Sequence, residues 1–151
     1  MSTPKANQRR DPYLNYRFVV EIAGIPQANF CEVILPESAS EVIAVRDGTE
    51  SSFTVRKQAG LVNYGSLILK FGLTSSLDLY NWRKMIEQGK VNSNRRSMAV
   101  MLLDEEGVNV ARWEFTNAWP SKYKGPDLNA QGNEIAIETL EIVFETMQRV
   151  K

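Results

Sequence analysis

The sequence predicts a mainly β protein, in which two packed antiparallel sheets form a small barrel or sandwich with one flanking α-helix at about residues 76–88. Three observations support this fold class. Most apolar runs are short and alternate with polar residues, which is typical of half-buried strands. Glycine and proline separate several of these runs at the spacing of hairpins. Near the middle of the chain, apolar residues recur instead at helical spacing.

The first two strands follow a polar N-terminal arm, residues 1–10, which we expect to be flexible. Residues 16–22 alternate in character, and a second apolar run covers residues 28–35. Cys31 lies within that run, so a small buried hydrophobe is the expected role of this thiol. Because 151 residues suffice for one hydrophobic core, residues 11–151 are expected to form a single domain.

Residues 37–60 differ from the rest because their apolar content falls. Two short β-capable pieces flank a polar turn at residues 46–50, which predicts a long, partly exposed hairpin, here called the arm. Its charges have both signs, which suits contacts between unlike surfaces of neighbouring subunits. The alternative is a mobile surface hairpin. The charged residues predicted to make such contacts between subunits are Glu41, Arg46, Asp47, Glu50, Arg56 and Lys57.

The middle of the chain predicts a strand and then the helix. Residues 66–71 alternate and stop at a glycine. Ser75 precedes Asp78 by three residues, the spacing of a capping box, and Gly89 provides a C-terminal stop. The apolar helix face is formed by Leu79, Trp82 and Ile86.

Residues 98–103 and 108–115 read as two strands joined by an acidic hairpin turn. Pro120 is expected to end the pairing that follows, with Trp119 partly buried, because proline cannot donate to a central ladder. The predicted core consists of Phe18, Val20, Leu67, Leu69, Met98, Val100, Trp113 and Phe115, closed by Trp82.

The C-terminal run, residues 134–150, fits both a helical and a strand period. Its β-branched residues favour a strand, with a β-bulge between Ile137 and Leu140 where the phase changes. The recurring acids of this run either line a conduit or form the wet face of a half-buried strand, and the sequence leaves both readings open. These acids are Glu138, Glu141 and Glu145.

The composition argues against catalysis. The chain has no histidine, which removes the commonest general base and the commonest transition-metal ligand. The acidic turn at residues 104–106 lacks the spaced oxygen ligands of a calcium loop. Eighteen basic and eighteen acidic residues cancel, so nucleic acid is a weak candidate partner. We therefore predict no catalytic, cofactor-binding or metal-binding residues, no cofactor and no membrane insertion.

Several separate stretches carry a likeness to a known family. In chain order they are Asp11-Pro12-Tyr13 with Tyr16 and Phe18, residues 57–60, Tyr64-Gly65, Leu67, Leu69-Lys70, Gly72-Leu73-Thr74, Trp82-Arg83, Leu103-Asp104, Ala111-Arg112-Trp113, Asn117-Ala118-Trp119-Pro120 with Lys122, Gly125-Pro126-Asp127-Leu128-Asn129-Ala130, Gly132-Asn133-Glu134, Ile137-Glu138 and Leu140-Glu141. Their joint order over residues 11–148 resembles the tail tube proteins of contractile phages and of extracellular contractile injection systems. The chain departs from the pattern at residues 32–36, where the family often has a short Ser-Gly-Leu segment.

The resemblance implies a structural protomer of the inner tube, assembled as hexameric rings that stack into a hollow conduit. Its implied partners are further copies of itself, a sheath protein, baseplate and tube-terminating proteins, and a tape-measure protein, DNA or protein cargo in the lumen. The protomer would be made in the cytoplasm of the producing cell and become part of a virion or an injection particle. Exposed strand edges support assembly independently, because edges that pair between subunits can close a ring. A monomeric β-barrel binding module and a carboxylate-based hydrolase are the alternatives.

Overall fold

The computed structural model describes residues 11–26, 29–46, 48 and 55–151. The expected flexibility of residues 1–10 concerns residues outside this part. The elements, numbered in chain order, are β1 Phe18–Ile22, β2 Phe30–Ile34, β3 Ser38–Val45, β4 Arg56–Tyr64, β5 Leu67–Gly72, α1 Asp78–Glu87, a 3₁₀ turn Asn92–Asn94, β6 Arg96–Leu103, β7 Asn109–Lys124, β8 Ile137–Val143 and β9 Thr146–Arg149. The prediction of a mainly β fold with one flanking helix is confirmed.

Seven strands form one antiparallel sheet in the order β1-β6-β7-β8-β5-β2, and β9 adds to β7, while β3 and β4 form a separate two-stranded sheet. The first part of β7 pairs with β6 and β9, and its last part pairs with β8. The large sheet therefore has two halves, one that contains β6 and β9 and one that contains β8, and β7 belongs to both. The two halves share one core, and the order ends at β1 and β2 without closing a barrel in the described residues.

Asn117 marks the position where β7 changes partners. Its φ of 51° lies in the left-handed region, which asparagine tolerates better than most residues. The Asn117 side-chain amide donates to Glu145 Oε2 at 2.7 Å, and Arg95 Nη1 contacts Glu145 Oε1 at 3.3 Å. These contacts tie the bend in β7 to the link between β8 and β9.

The core lies between the two halves of the sheet and under α1. Leu67, Leu69, Leu140 and Ile142 are fully buried, and α1 adds the apolar face that the sequence predicted. The indole of Trp82 donates to the Asn94 carbonyl oxygen at 2.7 Å, so its one polar atom is satisfied. The predicted core is confirmed except that Phe18 and Trp113 are only partly buried and pack against its edge.

Two predicted details near element ends were wrong. The helix begins at Asp78 with no side-chain cap, because Ser76 rather than Ser75 contacts Asp78, through its hydroxyl at 3.2 Å. Pairing continues past Pro120, which lies opposite Ile142 beside a bulge. The missing proline N–H is tolerated there because β7 then has a neighbouring strand on one side among the described residues. Gly89, at φ +82°, ends the helix as predicted, and Trp119 is partly buried as predicted.

The C-terminal run and Cys31 also differ from expectation. β8 pairs with β5 in an uninterrupted register, so the predicted bulge between Ile137 and Leu140 is absent from that pair, and the irregularity lies in β7 instead. The run then breaks after Val143 into a second strand, β9.

Cys31 is exposed, because it lies at a register shift of the outer strand β2, where its thiol donates to the Lys70 carbonyl at 3.3 Å. No helix within the described ranges is long and apolar enough to cross a membrane.

Phe115 and Trp113 offer a direct test of the core boundary. Phe115 is 1% exposed, so Phe115→Ala should lower the free energy of unfolding by about 3 to 5 kcal/mol. Trp113→Ala should cost less, under about 3 kcal/mol, since the ring is partly exposed and covered on one side by the Arg149 guanidinium, 5.7 Å from the ring centre. Urea unfolding with unchanged m-values would measure both losses. Equal losses would contradict this boundary.

Candidate assembly interface

The arm is a two-stranded hairpin that projects from the sheet. β3 and β4 pair from Ser38 opposite Tyr64 at the base to Val45 opposite Arg56 at the distal end. Both strands extend further towards the body than the sequence suggested. Every residue of β3 is exposed, and β4 has only two partly buried positions. The hairpin therefore contributes almost nothing to the core of its own subunit.

Both faces of the arm carry exposed apolar side chains. Val42 lies opposite Ala59, and Ile43 lies opposite Gln58, so these two neighbours point to opposite faces. Val42 is 68% exposed and Leu61 is 71% exposed. Exposed apolar surface of this kind marks an interaction site. The fall in apolar content along residues 37–60 thus hid a stronger signal, the cluster of Val42, Ile43 and Val45 in β3.

The structure brings some of the predicted stacking residues together. Arg46, Arg56 and Lys57 lie at the distal end of the arm and are exposed, whereas Glu41 lies at a register shift nearer its base. Asp47 and Glu50 lie outside the described residues. Stacking through these side chains stays a prediction.

The base of the arm is fixed by few contacts. The Gly65 N–H donates to the Glu37 carbonyl at 2.9 Å, and the Tyr64 ring lies 5.4 Å from that of Phe144. At the register shift, a Cβ on Gly60 would lie 3.1 Å from Glu41 Cβ and 3.2 Å from the Glu41 carbonyl oxygen. A larger residue at position 60 would therefore disturb the shape of the arm.

The three C-terminal glutamates do not share one face. Glu138 is 8% exposed and lies on the core side of β8 with Leu140, so it is not on a solvated strand face in this subunit. Glu141 lies on the opposite face and is partly buried. Glu145 follows β8 and is held by Arg95 and Asn117. Lumen lining stays a prediction, and the geometry suits it best at Glu141.

Tyr123 accounts for the burial of Glu138. The Tyr123 hydroxyl donates to Glu138 Oε1, and the Tyr123 ring packs edge-on against Tyr80 at 5.3 Å. Burial raises the pKa of Tyr123 to about 12, and the hydrogen bond to Glu138 acts in the same direction. No local sequence pattern indicates this pair, because its two members are on different strands.

A cavity of about 480 Å³ opens where β5 ends and α1 begins. Its apolar walls include Ile25, Phe71, Leu79 and Ile135. The carboxylates of Asp78 and Glu138 also line it, and the described residues around it include neither lysine nor arginine. We call it the acidic pocket. Sequence reasoning missed it because its walls come from four separate parts of the chain.

The described residues hold no group of three or more cysteine, aspartate or glutamate side chains placed to bind a metal ion. At the surface, the described residues present an apolar hairpin, open strand edges and a pocket with two carboxylates.

Comparison with known proteins points to the same conclusion. A family model described as the T4-like virus tail tube protein gp19 matches residues 14–148. A search of curated proteins returned no match. A chain of the anti-feeding prophage baseplate, seen by cryo-electron microscopy with six-fold symmetry, is similar at 26% identity and a TM-score of 0.77, over 99% of this chain and 97% of that one.

Two further solved structures share the fold. One belongs to the sheath-tube complex of an extracellular contractile injection system termed PVC, in the extended state, with 20% identity, a TM-score of 0.77 and coverage of 93% and 92% of the two chains. The other is Hcp1 from Flavobacterium johnsoniae, with 16% identity, a TM-score of 0.51 and coverage of 88% and 94%. At these identities the likeness supports the fold alone.

The pKa of Tyr123 gives a pH prediction. Tyrosine ionises near pH 10 in an unfolded chain and, at position 123 of the folded chain, near 12. The folded state therefore keeps the proton more tightly, and the stability that this contributes is fully present below pH 10 and is lost as the pH rises towards 12. Ultraviolet titration should show one tyrosine ionising late, and Tyr123→Phe should remove that step. A parent protein whose tyrosines all ionise near pH 10 would contradict the assignment.

The hydrogen bond itself can be tested by substitution. Tyr123→Phe leaves the buried Glu138 carboxylate without that donor and should cost about 1 to 3 kcal/mol at neutral pH. Glu138→Gln is the matched control, because its amide oxygen still accepts from Tyr123, so it should cost less. Thermal or urea unfolding measures both. A Tyr123→Phe protein as stable as the parent would show that the bond contributes nothing.

Proposed function

The chain belongs to the T4-like virus tail tube protein gp19 family, and we infer that it is a structural protomer of the inner tube of a contractile tail or injection machine. It assembles as hexameric rings that stack into a hollow conduit. The observation that carries this function is the arm, whose two faces both expose apolar side chains. A hairpin of this kind is stabilised when neighbouring subunits cover it on both sides.

The open edges of the large sheet supply a second contact. The sheet order ends at β1 and at β2, so each has one edge without a partner strand in the described residues. Unpaired edges favour strand addition, and pairing between unlike edges of successive copies closes a ring when the rotation closes. We assign ring formation to these edges and ring stacking to the arm, with Arg46 and Lys57 at its distal end as charged contacts.

The relatives support a wider set of partners. The similar chains come from a baseplate, a sheath-tube complex and tube-terminating assemblies. By analogy, this protomer contacts a sheath protein, a baseplate and a terminator, and it encloses a tape-measure protein, DNA or protein cargo. We propose no catalytic role. The protomer is made in the cytoplasm of its producing cell and acts as a component of the assembled particle.

The acidic pocket favours one second candidate, a monomeric binding module. A cavity of about 480 Å³ is within the range of small-ligand sites. Such a module would remain a monomer at high concentration, whereas a tube protomer would not. Sedimentation velocity and negative-stain microscopy of the purified chain separate the two, with rings or hollow tubes expected.

The apolar surface of the arm gives a prediction for stacking. Val42→Ser with Ile43→Ser should leave the subunit folded, since both side chains are exposed. Each lost apolar contact should cost about 1.5 kcal/mol or more, so the threshold concentration for tubes should rise at least roughly tenfold. Pelleting assays across a concentration series measure this threshold. Val150→Ser, at an exposed position outside the arm, is the control.

The charges of the arm give a separate prediction. Arg46→Glu with Lys57→Glu should leave single rings folded but prevent tubes, with the parent's contacts weakening as salt rises. Microscopy of rings and tubes at two salt concentrations reads this out. Tubes of normal length from the double variant would remove the charged contacts from the proposal and leave ring formation standing.

A further inference from the structure

We propose that the acidic pocket of one copy receives the N-terminal segment, residues 11–16, of a second copy. This inference rests on the proposed function, because it describes one of the contacts by which copies join. The pocket supplies apolar walls and two carboxylates, and the segment supplies apolar side chains next to basic residues. Among the described residues, no lysine or arginine lines the pocket, and the apolar side chains of the segment stay exposed.

The pocket is suited to a guest that is both apolar and cationic. Ile25, Phe71 and Ile135 contribute apolar surface, and Glu138 contributes a carboxylate that is 8% exposed. Among the described residues, Glu138 has a neutral hydrogen-bond donor in Tyr123 and no ion-pair partner. A buried carboxylate without a cation is costly, so a guest that brings positive charge gains affinity.

The N-terminal segment has the complementary character. Tyr13, Leu14 and Tyr16 are 58%, 60% and 59% exposed, an unusual density of large apolar side chains outside any strand or helix. Arg9 and Arg10 precede the segment in the sequence and Arg17 follows it, whereas the segment itself carries one acid, Asp11, so residues 9–17 have a net charge of +2. Tyrosine suits a pocket of this kind, because its ring is apolar and its hydroxyl can meet a polar group at the floor.

The positions of the two halves favour contact between copies. The segment leads into Phe18, at the start of β1, where the Leu103 N–H donates to the Arg17 carbonyl. Ile25 and Pro26 of the pocket wall follow the other end of the same strand, beyond Ile22. Four residue steps of a strand separate these ends by about 13 Å.

Guest and host therefore lie at opposite ends of β1, which is the arrangement of a head-to-tail contact. A contact of this heterologous type repeats from copy to copy and builds rings or stacks instead of closed pairs. It would add a third contact to the arm and the sheet edges, and it would cover apolar side chains that the isolated subunit leaves in water.

Cysteine cross-linking tests this contact, because the chain has one cysteine and Cys31→Ser gives a background without thiols. In that background, a Tyr13→Cys protein is mixed with an Ile135→Cys protein under conditions of assembly and mild oxidation. Both positions are exposed, so neither change should prevent folding. A disulfide forms only when the two Cα atoms come within about 7 Å.

The expected result is a mixed disulfide dimer, at least roughly tenfold above the yield with a Met85→Cys protein, an exposed position of α1 outside the pocket. A yield equal to that control would overturn the proposal. A protein that carries both Tyr13→Cys and Ile135→Cys and cross-links within one chain as a monomer would also overturn it, because the segment would then fill its own pocket.

A competing peptide gives an independent readout. A synthetic peptide of residues 9–17, in excess, should slow tube formation by the unmodified chain. The same peptide with serine in place of Tyr13 and Leu14 is the matched control and should not. If the parent forms no rings or tubes at all, the proposed function fails. If it forms tubes that neither cross-link at these positions nor respond to the peptide, only this inference fails.

Discussion

Hydrogen bonding along β7 is the constraint on which the rest of the structure depends. This 16-residue strand pairs with β6, β8 and β9, so it belongs to both halves of the large sheet. The change of partners at Asn117 turns one half over the other and encloses the core between them. The open edges, the acidic pocket and the base of the arm all take their positions from that turn.

The sequence predicted the strands and most of the core because alternation is a local property. Leu67 and Leu69 are buried and alternate with less buried neighbours, whereas Met98 and Val100 belong to a run, residues 98–101, that is buried throughout. The burial of Glu138, in contrast, could not be predicted from local alternation. Glu138 occupies an inward position because the hydroxyl of Tyr123 meets it there, and a partner on another strand leaves no trace in the local pattern.

The candidate interface, too, was predictable from the sequence only in part. The sequence predicted a hairpin at residues 37–60 from its polar turn and its β-capable flanks, and the structure pairs β3, Ser38–Val45, with β4, Arg56–Tyr64. The exposure of Val42 and Ile43 on opposite faces could not be predicted from the sequence, because it depends on the register between β3 and β4. The acidic pocket depends on four distant segments meeting at one end of the sheet, which only the tertiary fold determines.

The slender base of the arm has a mechanical consequence. The contacts described at that base include one backbone hydrogen bond at Gly65 and one ring contact at Tyr64, and the eight-residue strand β3 is about 26 Å long. A tilt of about 5° at that base moves the tip by about 2 Å, while the pairing within the hairpin stays intact. The arm thus acts as a lever with angular tolerance. If neighbouring copies hold the arm as proposed, they can change their relative tilt without losing this contact, so a filament of them can bend under side load without any subunit changing its core.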